Sequence, residues 1–266
     1  MNVLRKEVTY MSDYKEIFER KEIKYLLEEK QFMELKSYLE GFARVDEYGL
    51  SRINNIYYDT PNFQLIRTSM EKPLYKEKIR LRTYGKTIDD TNAFIEIKKK
   101  YAGIVYKRRI SGRYEQMHEY LTGGEDEIGD SQIAKEIRAF RDRYDTLIPA
   151  MSICYDRIAM TGINDKEFRV TFDTNIEWNE ECADLRNIKK GKQLLKAGQY
   201  LMEIKVSNAM PIGLSRKMSE LGIFPTSFSK YGAGYSEMVK ERNHIKNATD
   251  DDIISYFRMK GAMAYA

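Results

Sequence analysis

The chain has 266 residues, 42% of them hydrophobic and 12% aromatic, which is enough for a sizeable core and excludes a disordered polyelectrolyte. Lysine and arginine number 45 against 41 acidic residues, so a net charge of +4 excludes a polycation that coats nucleic acid, and any cationic site must arise by local clustering. Two cysteines, Cys154 and Cys182, lack metal-ligand spacing and exclude a disulfide scaffold; with no signal-like leader and no apolar run near the ~20 residues of a membrane helix, the chain reads as cytoplasmic and soluble.

A polar leader over residues 1–15 precedes a strand in "FERKEIKYLL" and an amphipathic helix in "EEKQFMELKSYLEGF", whose Phe32, Leu35, Leu39 and Phe42 share one side. "RINNIYYDT" reads as a strand that ends at Pro61, where a short helical turn runs through Phe63 and Ile66. Three further strands, "KEKIRLRTYG", "NAFIEIKKK" and "GIVYKRRI", are separated by turn-rich pieces and suggest an antiparallel meander. A helical insert, "SQIAKEIRAFRDRY", repeats Ile133, Ile137, Phe140 and Tyr144 at helical spacing. Strands resume in "PAMSICYDRIAMTG", "KEFRVTFDTNIEW" and "QYLMEIKVSN", with a basic loop, "NIKKGKQLLKAG", before the last. Helical patterns follow from Ile212 to Leu221, Tyr231 to Asn243 and Asp250 to Met259; residues 16–246 read as one unit and 247–266 as a helical segment on or trailing it.

The strands carry an unusual polarity. Read at a two-residue period, one set of faces collects Arg20, Glu22, Lys24, Lys78, Arg80, Arg82, Glu96, Lys98, Lys107, Arg109, Tyr155, Arg157, Arg169, Thr171, Asp173, Glu203 and Lys205, while the opposite faces are apolar. The tripeptide Glu-Ile-Lys occurs three times in strands, at Glu22, Glu96 and Glu203, each copy aiming a carboxylate and an ammonium to one side about 7 Å apart. Two arrangements satisfy this pattern. One is a sheet with its charged face open to water, and the other is a closed barrel with the charge inside and helices covering part of its apolar exterior. Like charges 4 Å apart repel by ~4 kcal/mol at an effective dielectric of 20, so an inward cluster calls for carboxylates, water and a multivalent anion such as a phosphate chain. Nucleic acid fits such a lumen poorly, because a duplex could not enter and no ladder of stacking aromatics is evident.

The ordered set "KEIKY", "IYYDT", "IRLRTY", "FIEIKKK", "YKRR", "YDR", "RVTFD", "LMEIKV" and "FSKYGAGY", from about Phe18 to Tyr235, resembles the VTC domain, the polyphosphate polymerase domain of the vacuolar transporter chaperone, within the triphosphate tunnel metalloenzyme (CYTH-like) superfamily. The resemblance implies an α+β fold with a closed, eight-stranded antiparallel tunnel barrel. It also implies a metal-dependent polymerase that moves the γ-phosphate of ATP onto growing inorganic polyphosphate and releases ADP. By motif, Lys24, Arg80, Arg82, Lys98 and Lys107, then Tyr155, Arg157, Arg169, Ser229 and Lys230, would line the phosphate path, with Lys24, Arg80, Arg82, Lys98, Arg157 and Lys230 carrying the chemistry. Glu203 would be the principal ligand of a divalent metal, Mn2+ or Mg2+. Glu22 and Glu96 are added from strand parity and the superfamily's E-x-E-x-K pattern, from which "ERKEIK" departs by spacing Glu19 and Glu22 three apart. Only two histidines occur, His118 and His244, read as surface or packing residues, and there is no P-loop. "YGAGY" reads as the start of a helix beside Lys230 rather than a phosphate-binding turn. A triphosphatase of the same fold and a non-catalytic polyphosphate-binding module remain the alternatives, and no membrane span or protein partner is implied by the sequence.

Overall fold

Strands that alternate charged and apolar residues must bury the apolar face against something, and here helices from three parts of the chain cover it. The computed structural model describes residues 21–102, 104–124, 128–144, 146–207 and 209–246. The leader, Glu19, Arg20, the His244 side chain and the helix expected from Asp250 to Met259 lie outside the described residues. In chain order the elements are β1 (Lys21–Leu27), α1 (Glu29–Leu39), β2 (Ala43–Asp59), α2 (Gln64–Met70), β3 (Tyr75–Tyr84), β4 (Asn92–Tyr101), β5 (Ile104–Arg113), α3 (Tyr114–Leu121) and α4 (Gln132–Arg143). They continue through β6 (Ile148–Gly162), β7 (Arg169–Asn179), β8 (Lys192–Gln193), β9 (Tyr200–Val206), α5 (Ile212–Glu220), β10 (Pro225–Thr226) and α6 (Lys230–Lys246).

All ten strands join one antiparallel sheet in the order β10-β1-β9-β7-β6-β2-β3-β4-β5, with β8 paired to β7. The expected closed eight-stranded barrel is therefore corrected on two counts. Two short strands, β8 and β10, form where the sequence shows only a basic loop and a polar connection, and no ladder among the described residues joins β5 to β1 or β10. The sheet is nevertheless strongly curled: Lys98 on β4 reaches Glu22 on β1 at 3.4 Å, although five strands separate them in sheet order. The seam is lined by charge. Lys98 and Lys107 on one side confront Lys24 and Lys205 on the other, so side-chain ion pairing rather than a backbone ladder spans the gap.

The apolar convex face is covered in two regions. On β2, β3 and β4, Ile56, Ile79, Leu81, Ile95 and Ile97 pack under Tyr114 and Met117 of α3 and Ile137 and Phe140 of α4. On β1, β7 and β9, Tyr25, Val170, Phe172, Met202 and Ile204 pack under Phe32, Leu35 and Leu39 of α1 and Leu214 and Met218 of α5. Local signals hold these helices: a capping box between Glu28 and Gln31 starts α1, and the Ser131 hydroxyl accepts from the Ala134 amide to start α4. His118 is a packing residue, stacked on Tyr114 and bonded through Nδ1 to the Tyr58 hydroxyl at 2.7 Å. No helix among the described residues is long and apolar enough to cross a membrane.

A third cluster lies on the concave side. Ile53, Tyr57, Met151, Ile153, Tyr155 and Trp178 pack against Ile66 of α2 and Tyr231 and Met238 of α6, flooring one end of the trough. Buried Asp59 ties this floor together by accepting from the Leu65 and Ile66 amides at the start of α2 and from the Tyr231 hydroxyl of α6. α6 begins at Lys230, as expected for "YGAGY", and its glycines let it sit close to the sheet. A Cβ at Gly234 would lie 2.6 Å from Met151 Sδ and 3.2 Å from Trp178 Cβ. The methionine can swing away but the tryptophan Cβ is fixed to backbone, so Gly234→Val should cost about 1–3 kcal/mol by overpacking. The measurement is the urea unfolding midpoint, and an unchanged midpoint would show that α6 does not press on β6 and β7.

Candidate active site

The deepest part of the trough is built by β2, β3 and β6. Their register sets Tyr57 opposite Arg80 and Met151, and Asn55 opposite Arg82 and Ile153, so the two arginines rise from the apolar floor. Arg82, only 5% exposed, donates through Nε to Asn55 Oδ1 at 2.8 Å and through Nη2 to the Tyr155 hydroxyl at 3.1 Å. Arg80 donates to Glu96 Oε2 at 2.8 Å and to the Tyr57 hydroxyl at 2.8 Å. Glu96 also lies 2.8 Å from Lys107 and 3.8 Å from Arg82. Burial alone would raise its pKa, but Arg80, Arg82 and Lys107 together hold the carboxyl well below the usual range.

Across the trough, Arg157 grips Asp173 with a two-pronged bond of 2.6 and 2.8 Å, and Lys230 at the start of α6 contacts the same carboxylate at 2.5 Å. Arg157 and Lys230 also lie over the Tyr155 ring. Asp173 is depressed despite its burial, because these two cations outweigh the lost hydration.

The first and third Glu-Ile-Lys copies meet at one spot, and the lysine of the middle copy reaches it. β1 and β9 run antiparallel with Ile23 opposite Ile204, so Glu22 faces Lys205 and Lys24 faces Glu203. Lys205 lies 3.3 Å from Glu22 and 3.2 Å from Glu203; Lys24 lies 4.0 Å from Glu203, and Lys98 of the middle copy reaches Glu22. Burial would raise the Glu203 pKa, but Lys205, Lys24, Arg157 and Lys230 bring it down to about 2. Two cations also hold the segment before α6: Lys24 donates to the Phe228 carbonyl at 2.7 Å, and Lys78 to Ser229 Oγ at 3.2 Å.

The structure thus gathers Lys24, Arg80, Arg82, Lys98, Lys107, Tyr155, Arg157, Ser229 and Lys230 on one concave face with Glu22, Glu96 and Glu203. Arg169 lies exposed beyond them, in register with Lys205 on β9. The expected metal ligands separate into two groups. Glu22 and Glu203 converge on one ammonium, whereas Glu96 is taken up by three cations, and among the described residues no three His, Cys, Asp or Glu side chains gather to hold an ion. A divalent ion held by one or two carboxylates and completed by phosphate oxygens and water fits Glu203 and Glu22. The Thr171 hydroxyl, 8% exposed and opposite Glu203 in register, has no hydrogen-bond partner and leaves a polar position open beside them.

Tyr57 and Asn55 are site residues that the charge pattern does not mark. They alternate on β2 with the same parity as the arginines' partners, a signal hidden because "NNIYY" offers no charge to mark which side faces inward. Asp173, Lys78 and Lys205 were on the charged faces without a role, and each now has one.

A family model described as the VTC domain matches residues 19–239. Among solved structures, a Hippeastrum protein assigned to the adenylyl cyclases, with a dominant triphosphatase activity, matches with a TM-score of 0.50 at 14% identity, over 81% of this chain and 95% of that one. A Bacillus halodurans protein assigned as an adenylate cyclase gives 0.49 at 13% identity, over 78% of this chain and 92% of that one. At 14% identity the feature shared with the Hippeastrum protein is the fold alone. Comparison with curated proteins gives no match.

Lys78 has no carboxylate partner among the described residues, and burial, reinforced by Lys76, Lys98 and Lys24 and opposed by Tyr57, pulls its pKa down to about 8. Below that pH both folded and unfolded chains hold the proton, and the folded state carries the penalty of a half-buried charge crowded by like charges. Between about 8 and the unfolded value of roughly 10.4, only the unfolded chain holds it, so this group's contribution to stability rises with pH. Lys78→Met should therefore melt higher than the wild type near neutral pH, and the gap should close towards about pH 10. Thermal melts across that range check it; a gap independent of pH would mean that Lys78 is not charged against its neighbours.

Proposed function

The chain belongs to the VTC domain family, and on that premise we propose that it is a polyphosphate polymerase. It would transfer the γ-phosphate of ATP to the end of an inorganic polyphosphate chain and release ADP, working on cytoplasmic ATP. The observation that carries this reading is the reach of the cationic face. Lys78, Arg80 and Arg82 alone cover about 13 Å of strand, and the register sets Lys98 beside Lys78 and Lys107 beside Lys98, so the cations also spread sideways across β3, β4 and β5. That is more cationic length than one triphosphate occupies, so a donor and an acceptor chain can lie end to end.

In this reading the buried arginines fix the reacting phosphates. Arg82 keeps Nη1 clear of its bonds to Asn55 and Tyr155, and Arg157 likewise keeps Nη1 clear of Asp173; both hold their planes by these partners before any ligand arrives. A terminal oxygen of the acceptor attacks the γ-phosphorus, a new P–O bond forms, and the bond to the β–γ bridging oxygen breaks with its electrons leaving on ADP. The charge that builds on the equatorial and leaving oxygens is met by Arg80, Arg82, Arg157 and Lys230. Lys24 and Lys78, together with Ser229, hold the chain beside the start of α6. A divalent ion at Glu203 and Glu22 would supply Lewis-acid neutralisation of phosphate oxygens. No covalent nucleophile is required, which suits a face composed of cations and their counter-ions.

Incubating the purified protein with ATP and Mn2+ or Mg2+ should yield a ladder of polyphosphate on a gel and ADP in matching amounts. Orthophosphate without polymer would make the chain a hydrolase, and tight polyphosphate binding without turnover would make it a binding module. Glu203→Ala should lower turnover by about a hundredfold or more while the fold persists; full activity across a metal titration would remove Glu203 from the metal site.

Arg82→Lys keeps the charge and loses the fork. A charge-assisted bond is worth about 1.5–3 kcal/mol, so kcat/KM for ATP should fall roughly tenfold to a hundredfold. A near-normal value would place Arg82 outside the phosphate path and leave it a bracket for β2 and β6.

A further inference from the structure

Lys205 occupies the position between the two carboxylates that fit a metal. Its ammonium stands 3.3 Å from Glu22 Oε1 and 3.2 Å from Glu203 Oε1, almost equally shared, and both contacts are longer than those of Lys107 to Glu96 or Lys230 to Asp173. It is also 37% exposed, whereas the Lys230 side chain is 13% exposed. Lys24 approaches only Glu203 and Lys98 only Glu22, so among the described residues Lys205 alone bridges the pair. Close by, the Thr171 hydroxyl lacks a partner, so the surroundings are prepared for a polar occupant that the protein itself does not provide.

We propose that Lys205 is the built-in counter-ion of the metal position, holding Glu22 and Glu203 converged while no metal is bound and yielding its place when a divalent ion enters. The inference rests on the metal-dependent reading above and deepens it. Two carboxylates on neighbouring strands repel unless a cation sits between them, and a loosely shared ammonium is a cation that can leave. Once displaced it stays within reach of the site on its flexible stem, where it repels a bare divalent ion but attracts a phosphate oxygen. The consequence is that the metal binds weakly alone and tightly together with a polyphosphate, so the site is charged only when there is a chain to act on.

The test is direct Mn2+ binding to the full chain without nucleotide, read from the free-Mn2+ paramagnetic resonance signal. Lys205→Met should tighten Mn2+ about tenfold or more by removing the competing charge, while Lys98→Met, which relieves Glu22 alone, should change it much less. Lys205→Arg, able to clamp both carboxylates with a fork, should weaken Mn2+ instead, and it preserves the ion pairs should the methionine variant fold poorly. Adding tripolyphosphate should tighten Mn2+ in the wild type far more than in Lys205→Met. Unchanged or weaker binding in Lys205→Met, or an equal gain in Lys98→Met, would overturn the proposal. Glu203→Gln separates the two levels of the argument. Mn2+ binding that ignores Glu203 would overturn the metal position and this proposal with it, whereas a Glu203-dependent site indifferent to Lys205 would overturn the proposal alone. Absence of polymerase activity would touch neither result.

Discussion

The rest of the structure depends on the repulsion among cations that one concave face forces together. Lys24, Lys78, Arg80, Arg82, Lys98, Lys107, Arg157, Lys205 and Lys230 share a trough with Glu22, Glu96, Asp173 and Glu203. Each carboxylate is placed where it serves two or more cations: Glu96 between strands β3 and β5, Asp173 between β6 and α6, Glu22 and Glu203 around Lys205. The cations still outnumber them, and Lys78 has none. This excess of cations costs free energy that a polyanion would offset, and it favours the proposed phosphate-chain reading on electrostatic grounds, before any family is considered.

The same constraint explains the shape. Backbone ladders join strands wherever apolar residues can be turned outward beneath a helix, which accounts for α1 and α5 over one region and α3 and α4 over another. At the seam between β5 and β1 the inward residues are mostly cations, Lys107 and Arg109 on one side and Lys24 on the other, and the link across it is the exposed pair of Lys98 on β4 with Glu22 on β1. Exposed pairs contribute about 0–1 kcal/mol, so the seam holds its shape mainly through the curl of the strands on either side. At the opposite end the trough is floored by apolar packing against α6, and Asp59 fixes that helix to α2. Lys230 is thereby delivered to Asp173 by a helix whose position is set by hydrophobic contacts rather than by charge.

Much of this was legible in the sequence because two-residue alternation is a local property. The long strands overlap the segments where the alternation puts them, although β2 begins at Ala43, nine residues before "RINNIYYDT", and the three Glu-Ile-Lys copies all turn their isoleucine outward: Ile97 and Ile204 are wholly buried, and Ile23 is packed at the edge of the same cluster as Ile204. What alternation does not carry is which strand neighbours which. The reciprocal pairing of Glu22 with Lys205 and Lys24 with Glu203 needs the antiparallel register of β1 and β9, some 180 residues apart. Closure is also non-local, since it depends on a balance of charge across a seam between strands that lack any covalent or ladder connection. The two-residue strands β8 and β10 are too short for a period to appear in them at all.

Exposure separates six of the trough cations by type, although Lys230 is buried more deeply than Arg80 or Arg157, and Arg109 and Arg169 are exposed. The side chains of Arg82, Arg157 and Arg80 are 6%, 21% and 22% exposed, whereas those of Lys205, Lys107 and Lys98 are 37%, 48% and 50% exposed. Guanidinium is weakly hydrated and planar, so it tolerates burial and holds phosphate oxygens in one orientation; ammonium is strongly hydrated and grips without directional preference. On the polymerase reading, orientation is needed where a bond is made and broken, and freedom to slide is needed where the product chain leaves. Among these six residues arginine within and lysine without meets both requirements, and desolvation cost favours that order, because the lysines placed deepest, Lys24 and Lys230, are those tied to a backbone carbonyl or a buried carboxylate.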